Sequence, residues 1–149
     1  MADQRNARAA LDPHAVGRAC LCLAVRRAAR SVARRYDEAF RPLGITSGQF
    51  TVLMGLAAER PIRMARLAEE LGMDRTSLTA ALKPLERDGL IVRRDDAVDG
   101  RQRNFRLTRK GRDVLEAAMP AWAQAQEELM AHASPADIDL LRAGLRALA

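Results

Sequence analysis

Aromatic residues are scarce, at 3% of 149 residues, with a single Trp, a single Tyr and three Phe. With Leu and Ala plentiful, that scarcity favours a mostly helical protein. Cysteines number two, Cys20 and Cys22. Two positions apart on a helix they point about 200° away from each other, so neither a mutual disulfide nor a shared metal is reachable without unwinding. Reduced, packed thiols are the expectation. The two histidines, His14 and His132, have no ligand spacing around them, so no metal site is expected. No apolar run approaches the ~20 residues of a membrane span, and MADQRNARAA lacks the apolar core of a signal peptide. A cytoplasmic protein with no membrane partner follows as the default. No GxSxG, HExxH, P-loop or dinucleotide fingerprint occurs, and two isolated histidines do not supply convergent acid–base groups. The chain is therefore not expected to be an enzyme, and neither catalytic residues nor a cofactor is assigned. Repeats, low-complexity tracts and long linkers are absent as well.

Positive charge is abundant. The net charge is +6 with a pI near 10.5, which fits an anionic partner without naming it. Its distribution is more informative. Residues 1–60 hold 10 Arg against 5 acids (+5), residues 61–112 hold 13 Lys/Arg against 8 acids (+5), and residues 113–149 hold 2 Arg against 6 acids (−4). A membrane-surface role would gather the charge on one amphipathic helix, and it is not so arranged.

Residues 1–11 read as a disordered tail, and 12–149 as one domain of sufficient length for a real core. Asp12 before Pro13 is an N-cap with proline in the first turn, opening one long helical pattern to Phe40. Val25, Ala28, Val32, Tyr36 and Ala39 form its apolar stripe, beside Arg27, Arg30 and Arg34. Thr46 or Ser47 caps a helix to about Ala58, with Phe50, Leu53, Met54 and Ala57 facing inward. Ile62-Arg63 has the character of a very short strand.

Met64 to Asp88 then reads as two helices joined at Gly72, with Leu67, Ala68 and Leu71 on the first and Leu78, Leu82 and Leu85 on the second. Asp74 caps the second helix and Gly89 stops it, while Pro84 inside it predicts a kink near Ala80. Leu90–Arg94 and Arg103–Leu107 alternate as two strands around the turn-rich DDAVDG. Thr108 caps a long helix to about Ala133, carrying Val114, Leu115, Ala118, Trp122, Ala125 and Leu129 on one side and bent by Pro120. Ser134-Pro135-Ala136-Asp137 opens a last helix bearing Ile138, Leu141, Leu145 and Leu148. A helix-turn-helix followed directly by a hairpin is a winged helix, whose second helix enters the DNA major groove.

The wing carries Asp96-Ala97-Val98-Asp99-Gly100-Arg101 followed by Leu107-Thr108-Arg109-Lys110-Gly111. It resembles the D-x-x-D-x-R…L-T-x-x-G pattern of the MarR (multiple antibiotic resistance regulator) family. LAEELGMDRTSLTAALKPLERDGLI resembles that family's recognition segment, and the likeness spans roughly residues 15–130. It implies a mainly α fold with a small β-hairpin wing: a winged helix-turn-helix lobe over about 45–112, flanked by long dimerisation helices over 12–41 and 113–149. It further implies a homodimeric, sequence-specific DNA-binding regulator of transcription, a repressor on a short inverted repeat, released by a small aromatic or phenolic acid. Many family members carry Arg where this chain has Ala80, which implies a different operator preference.

Within that frame Arg75, Thr76, Ser77, Thr79 and Lys83 are the candidate groove contacts; an arginine can pair with guanine O6 and N7, and hydroxyls can reach base edges or phosphates. Arg101 suits the narrow minor groove, with Asp99 orienting its guanidinium, and Arg94 and Arg103 are placed for phosphates. The competing reading for each is a solvated helix face or a surface ion pair. The family's effector cavity suggests Cys22, Arg26, Tyr36 and Trp122 as ligand contacts, against the plain alternative that Trp122 is core and the arginines are solvated. Two other functional readings stay open: an oxidant sensor acting through Cys20 and Cys22, and a ligand-independent architectural DNA-binding protein.

Overall fold

Local capping chemistry starts five of the helices where the sequence predicts. In the computed structural model, which describes residues 12–58, 60–95 and 103–148, α1 (Pro13–Ala19) opens on Asp12, whose carboxylate accepts from the amides of His14 and Ala15. The expected tail, residues 1–11, lies outside the described residues. The chain divides into two compact units, Met1–Val32 and Ala33–Ala149.

The predicted single helix from Asp12 to Phe40 is instead two, the break falling in the first unit. Cys20 adopts an extended conformation (φ −72°, ψ 107°) that ends α1, and α2 (Leu21–Phe40) begins at the next residue. The Cys20 sulfur lies 3.4 Å from the Leu23 amide, one of the donors that a new helix start leaves without an intrahelical partner. Cys22 is exposed and Cys20 half-buried, so the expectation of packed thiols is corrected: neither is fully buried.

In the second unit a 3-10 turn, Arg41–Leu43, leads from α2 into α3 (Ser47–Gly55). Thr46 and Gln49 form a reciprocal capping box, and Asp37 accepts from the Ser47 amide at 2.6 Å. α3 stops short of Ala58. Its inward residues are Phe50, Val52 and Leu53, with Leu56 just beyond, whereas Met54 is 48% exposed and Ala57 lies outside. Phe40 stacks on Phe50 with centroids 4.6 Å apart, which seats the end of α2 against α3.

Then β1 (Ile62–Arg63) passes into α4 (Met64–Leu71), and Gly72 takes the left-handed φ of +60° that a side chain would resist, turning the chain into α5 (Arg75–Arg87). Leu67 on α4 and Leu78 and Leu85 on α5 are fully buried; each stabilises the lobe by roughly 2 kcal/mol. α5 remains one helix through Pro84. β2 (Ile91–Asp95) and β3 (Arg103–Leu107) pair antiparallel, Ile91 opposite Leu107 and Asp95 opposite Arg103. β1 pairs with the far side of β3 through Ile62 and Phe105, so the wing's base is a three-stranded sheet in the order β1-β3-β2.

α6 (Arg109–Met130) is capped by Thr108 and runs through Pro120, ending three residues before the predicted Ala133. α7 (Pro135–Ala147) opens on Ser134, as predicted, yet buries nothing: Leu140, Leu141, Leu145 and Leu148 are 74%, 57%, 44% and 63% exposed. The fold is mainly helical with a small antiparallel sheet. Among the described residues no helix is long and apolar enough to cross a membrane.

Candidate nucleic-acid interface

Asp74 sets where α5 begins. Its carboxylate accepts from the amides of Thr76 and Ser77 at 2.9 Å and from the Ser77 hydroxyl at 2.6 Å. Those bonds, the Ser77 hydroxyl first, hold the Asp74 carboxyl below its ordinary value of 3.8. A depressed folded-state pKa contributes stability above the unfolded value, and that contribution is lost as pH falls through the folded one. Acidification down through and below the ordinary carboxylate range should therefore loosen the start of α5. Asp74→Asn should flatten that part of the acid-unfolding curve; an unaltered curve would show that the cap plays no part in it.

At 100° per residue, the buried Leu78, Leu82 and Leu85 fix the inner face of α5. The opposite face then carries Thr76, Ala80, Lys83 and Arg87, all exposed, with Arg75 and the half-buried Thr79 on one flank and Ser77 on the other. Several of these side chains are already engaged. The Thr79 hydroxyl donates to the Arg75 carbonyl at 2.7 Å, the Ser77 hydroxyl to Asp74, and Arg87 pairs with Asp88 at 2.8 Å. Arg75, Thr76 and Lys83 are exposed and make no side-chain hydrogen bond or ion pair to any described residue. Arg94 is likewise exposed, on β2. Arg103 starts β3 opposite Asp95. Asp99 and Arg101 lie outside the described residues.

The sequence reading missed Arg87, although it falls eleven residues after Thr76 and hence on the same face. It also missed what holds the far end of α5. There the Lys110 ammonium donates to the Asp88 carbonyl at 2.9 Å, and the Thr108 hydroxyl donates to the Gly89 carbonyl at 2.7 Å. The Thr108 amide donates to the Leu90 carbonyl at 3.0 Å. The start of α6 thus clasps the end of α5, a contact between residues about twenty apart that no local pattern announces.

The MarR family model matches residues 43–102. The MgrA transcriptional regulator of Staphylococcus aureus is 30% identical over 115 residues, which cover 76% of each chain. The chain belongs to the MarR family. A DNA complex of the transcriptional regulator MosR of Mycobacterium tuberculosis is similar in structure, with TM-score 0.75 and 37% identity over 86% of this chain and 96% of that one. So is the repressor CouR bound to a 23-mer duplex, with TM-score 0.78 and 29% identity over 89% and 94% of the two chains. Other curated relatives are matched over less of their length: the chain spans 64% of the SarZ regulator of Staphylococcus epidermidis.

Of the suggested effector contacts, Tyr36 and Trp122 are half-buried against the core of the second unit. The Tyr36 hydroxyl donates to the Gln126 side-chain carbonyl on α6, and burial raises its pKa. Cys22 and Arg26 are exposed residues of the first unit. Among the described residues no group of three or more His, Cys, Asp or Glu is arranged to hold a metal ion.

Proposed function

We propose that this MarR-family protein is a homodimeric transcriptional regulator, acting as a repressor on a short, near-palindromic operator. The observation that carries the reading is the outer face of α5, where Arg75, Thr76 and Lys83 stand exposed and unpartnered among the described residues, on a segment of net charge +5. Lys83 and Arg75 reach the major groove, Thr79 and Ser77 accept through their remaining lone pairs, and Arg94 and Arg103 meet phosphates. Arg101, oriented by Asp99, enters the adjoining minor groove. The DNA complexes of MosR and CouR support this use of the fold. The exposed leucines of α7 support a second copy as their cover, because three large apolar side chains on one short helix, with Leu148 just beyond it, call for a partner surface.

A small aromatic or phenolic acid, held beside Tyr36 and Trp122 of the second unit, would release the operator to the extent that it binds a DNA-incompetent arrangement more tightly. Footprinting with a salt series tests the reading. Protection should be short and symmetric with half-sites ~10 bp apart, and affinity should fall steeply with salt. Broad, sequence-indifferent protection would instead make the protein architectural.

A second reading, oxidant sensing through Cys20 and Cys22 by a disulfide bridging two subunits, is favoured by the exposure of the Cys22 thiol. Peroxide would take two electrons from the thiol pair, giving a disulfide and two waters. This reading is abandoned if Cys20→Ser and Cys22→Ser leave peroxide-driven release from DNA unchanged.

A further inference from the structure

The middle of the reading face of α5 is a methyl group. Ala80 is exposed, one turn after Thr76 and one turn before Lys83, on the face opposite the buried Leu78, Leu82 and Leu85. The hydroxyl hydrogens on its flanks are spent within the helix, Thr79 on the Arg75 carbonyl and Ser77 on Asp74. Arg87, one turn beyond Lys83, is held by Asp88. The centre of this face therefore offers a base edge no committed donor or acceptor of its own.

From this arrangement we propose that Ala80 is a specificity-determining residue that reads the 5-methyl group of a thymine in the major groove, one per half-site. This rests on the operator-binding function proposed above. The thymine methyl is the one apolar feature that a base pair displays in the major groove, and a small apolar side chain is its natural complement. A G·C pair at the same place has polar groups there too but no methyl to pack on Ala80, so it loses that contact. The short Ala80 side chain also lets the helix axis approach the base edges closely, while Lys83 and Arg75 on either side of it reach outward to other positions.

Replacing each operator thymine in turn by uracil removes only the methyl group, so binding of the full-length protein to such duplexes tests the inference directly. One thymine per half-site should prove sensitive, with affinity falling about fourfold when its methyl is lost, as expected for one buried methyl group. Ala80→Gly should abolish that penalty at that position and at no other. Ala80→Ser, which keeps Cβ, should preserve it. A flat uracil scan with the wild-type protein overturns the inference whatever the variants do, as does a penalty that persists undiminished in Ala80→Gly. Absence of any sequence-preferring complex, seen before the scan begins, would overturn the operator-binding function itself and this inference with it.

Discussion

Gly111→Ala is expected to lower the melting temperature by about 10 °C, the largest effect of a Cβ added at any of the described glycines. A Cβ on Gly111 would lie 1.9 Å from the Leu90 carbonyl oxygen and 2.9 Å from its carbon. No side-chain rotation relieves this, because the obstacle is backbone. Nor can the carbonyl retreat cheaply: it accepts from the Thr108 amide at 3.0 Å and lies 3.2 Å from the Thr108 hydroxyl, and the Leu90 side chain is only 5% exposed. Moving α6 outward instead would break the Lys110 and Thr108 bonds to Asp88 and Gly89. Either route costs roughly 3 kcal/mol. Because the same clasp holds the end of α5, DNA affinity should fall with stability. A melting temperature within about 3 °C of wild type would mean that the close approach is not maintained in solution.

Arg101→Ala is expected to weaken operator binding more than about tenfold while leaving the melting temperature and the oligomeric state unchanged. A narrow minor groove concentrates negative potential, and a guanidinium there gains more than one lying along an exposed phosphate. Asp99, two residues earlier, can hold that guanidinium in place by a charge-assisted bond. If Arg101 only paired with Asp99 at the surface, its loss would cost at most ~1 kcal/mol of stability and nothing in DNA binding. Gel shifts across a salt series separate the two cases, since loss of a DNA contact should also reduce the salt slope by about one. Unchanged affinity removes Arg101 from the interface.

The parts of the fold legible in the sequence are those settled within a few residues. Asp12, Thr46, Asp74, Thr108 and Ser134 all cap the helices they were expected to cap, because a cap needs only a short polar side chain and the amides two or three residues on. Gly72 turns left-handed for an equally local reason. Errors arise where a partner decides. Met54 and Ala57 fit a helical stripe as well as Val52 and Leu56 do; α3 ends at Gly55, and its packing buries the latter pair. Cys20 shows no proline or glycine at the break it makes, and the stripe on α7 reads as core although none of its residues is fully buried among the described residues.

By itself, then, the sequence determined the order of elements, the family they resemble and the residues to suspect on the reading helix, since periodicity, caps and the wing motif are short-range. Tertiary structure decided how those residues are used. Only the burial of Leu78, Leu82 and Leu85 turns Ala80 to the centre of the outer face beside Thr76 and Lys83. Only the approach of α6 to Leu90 explains why position 111 must lack a side chain. Both depend on contacts between segments that the chain brings together only when it folds.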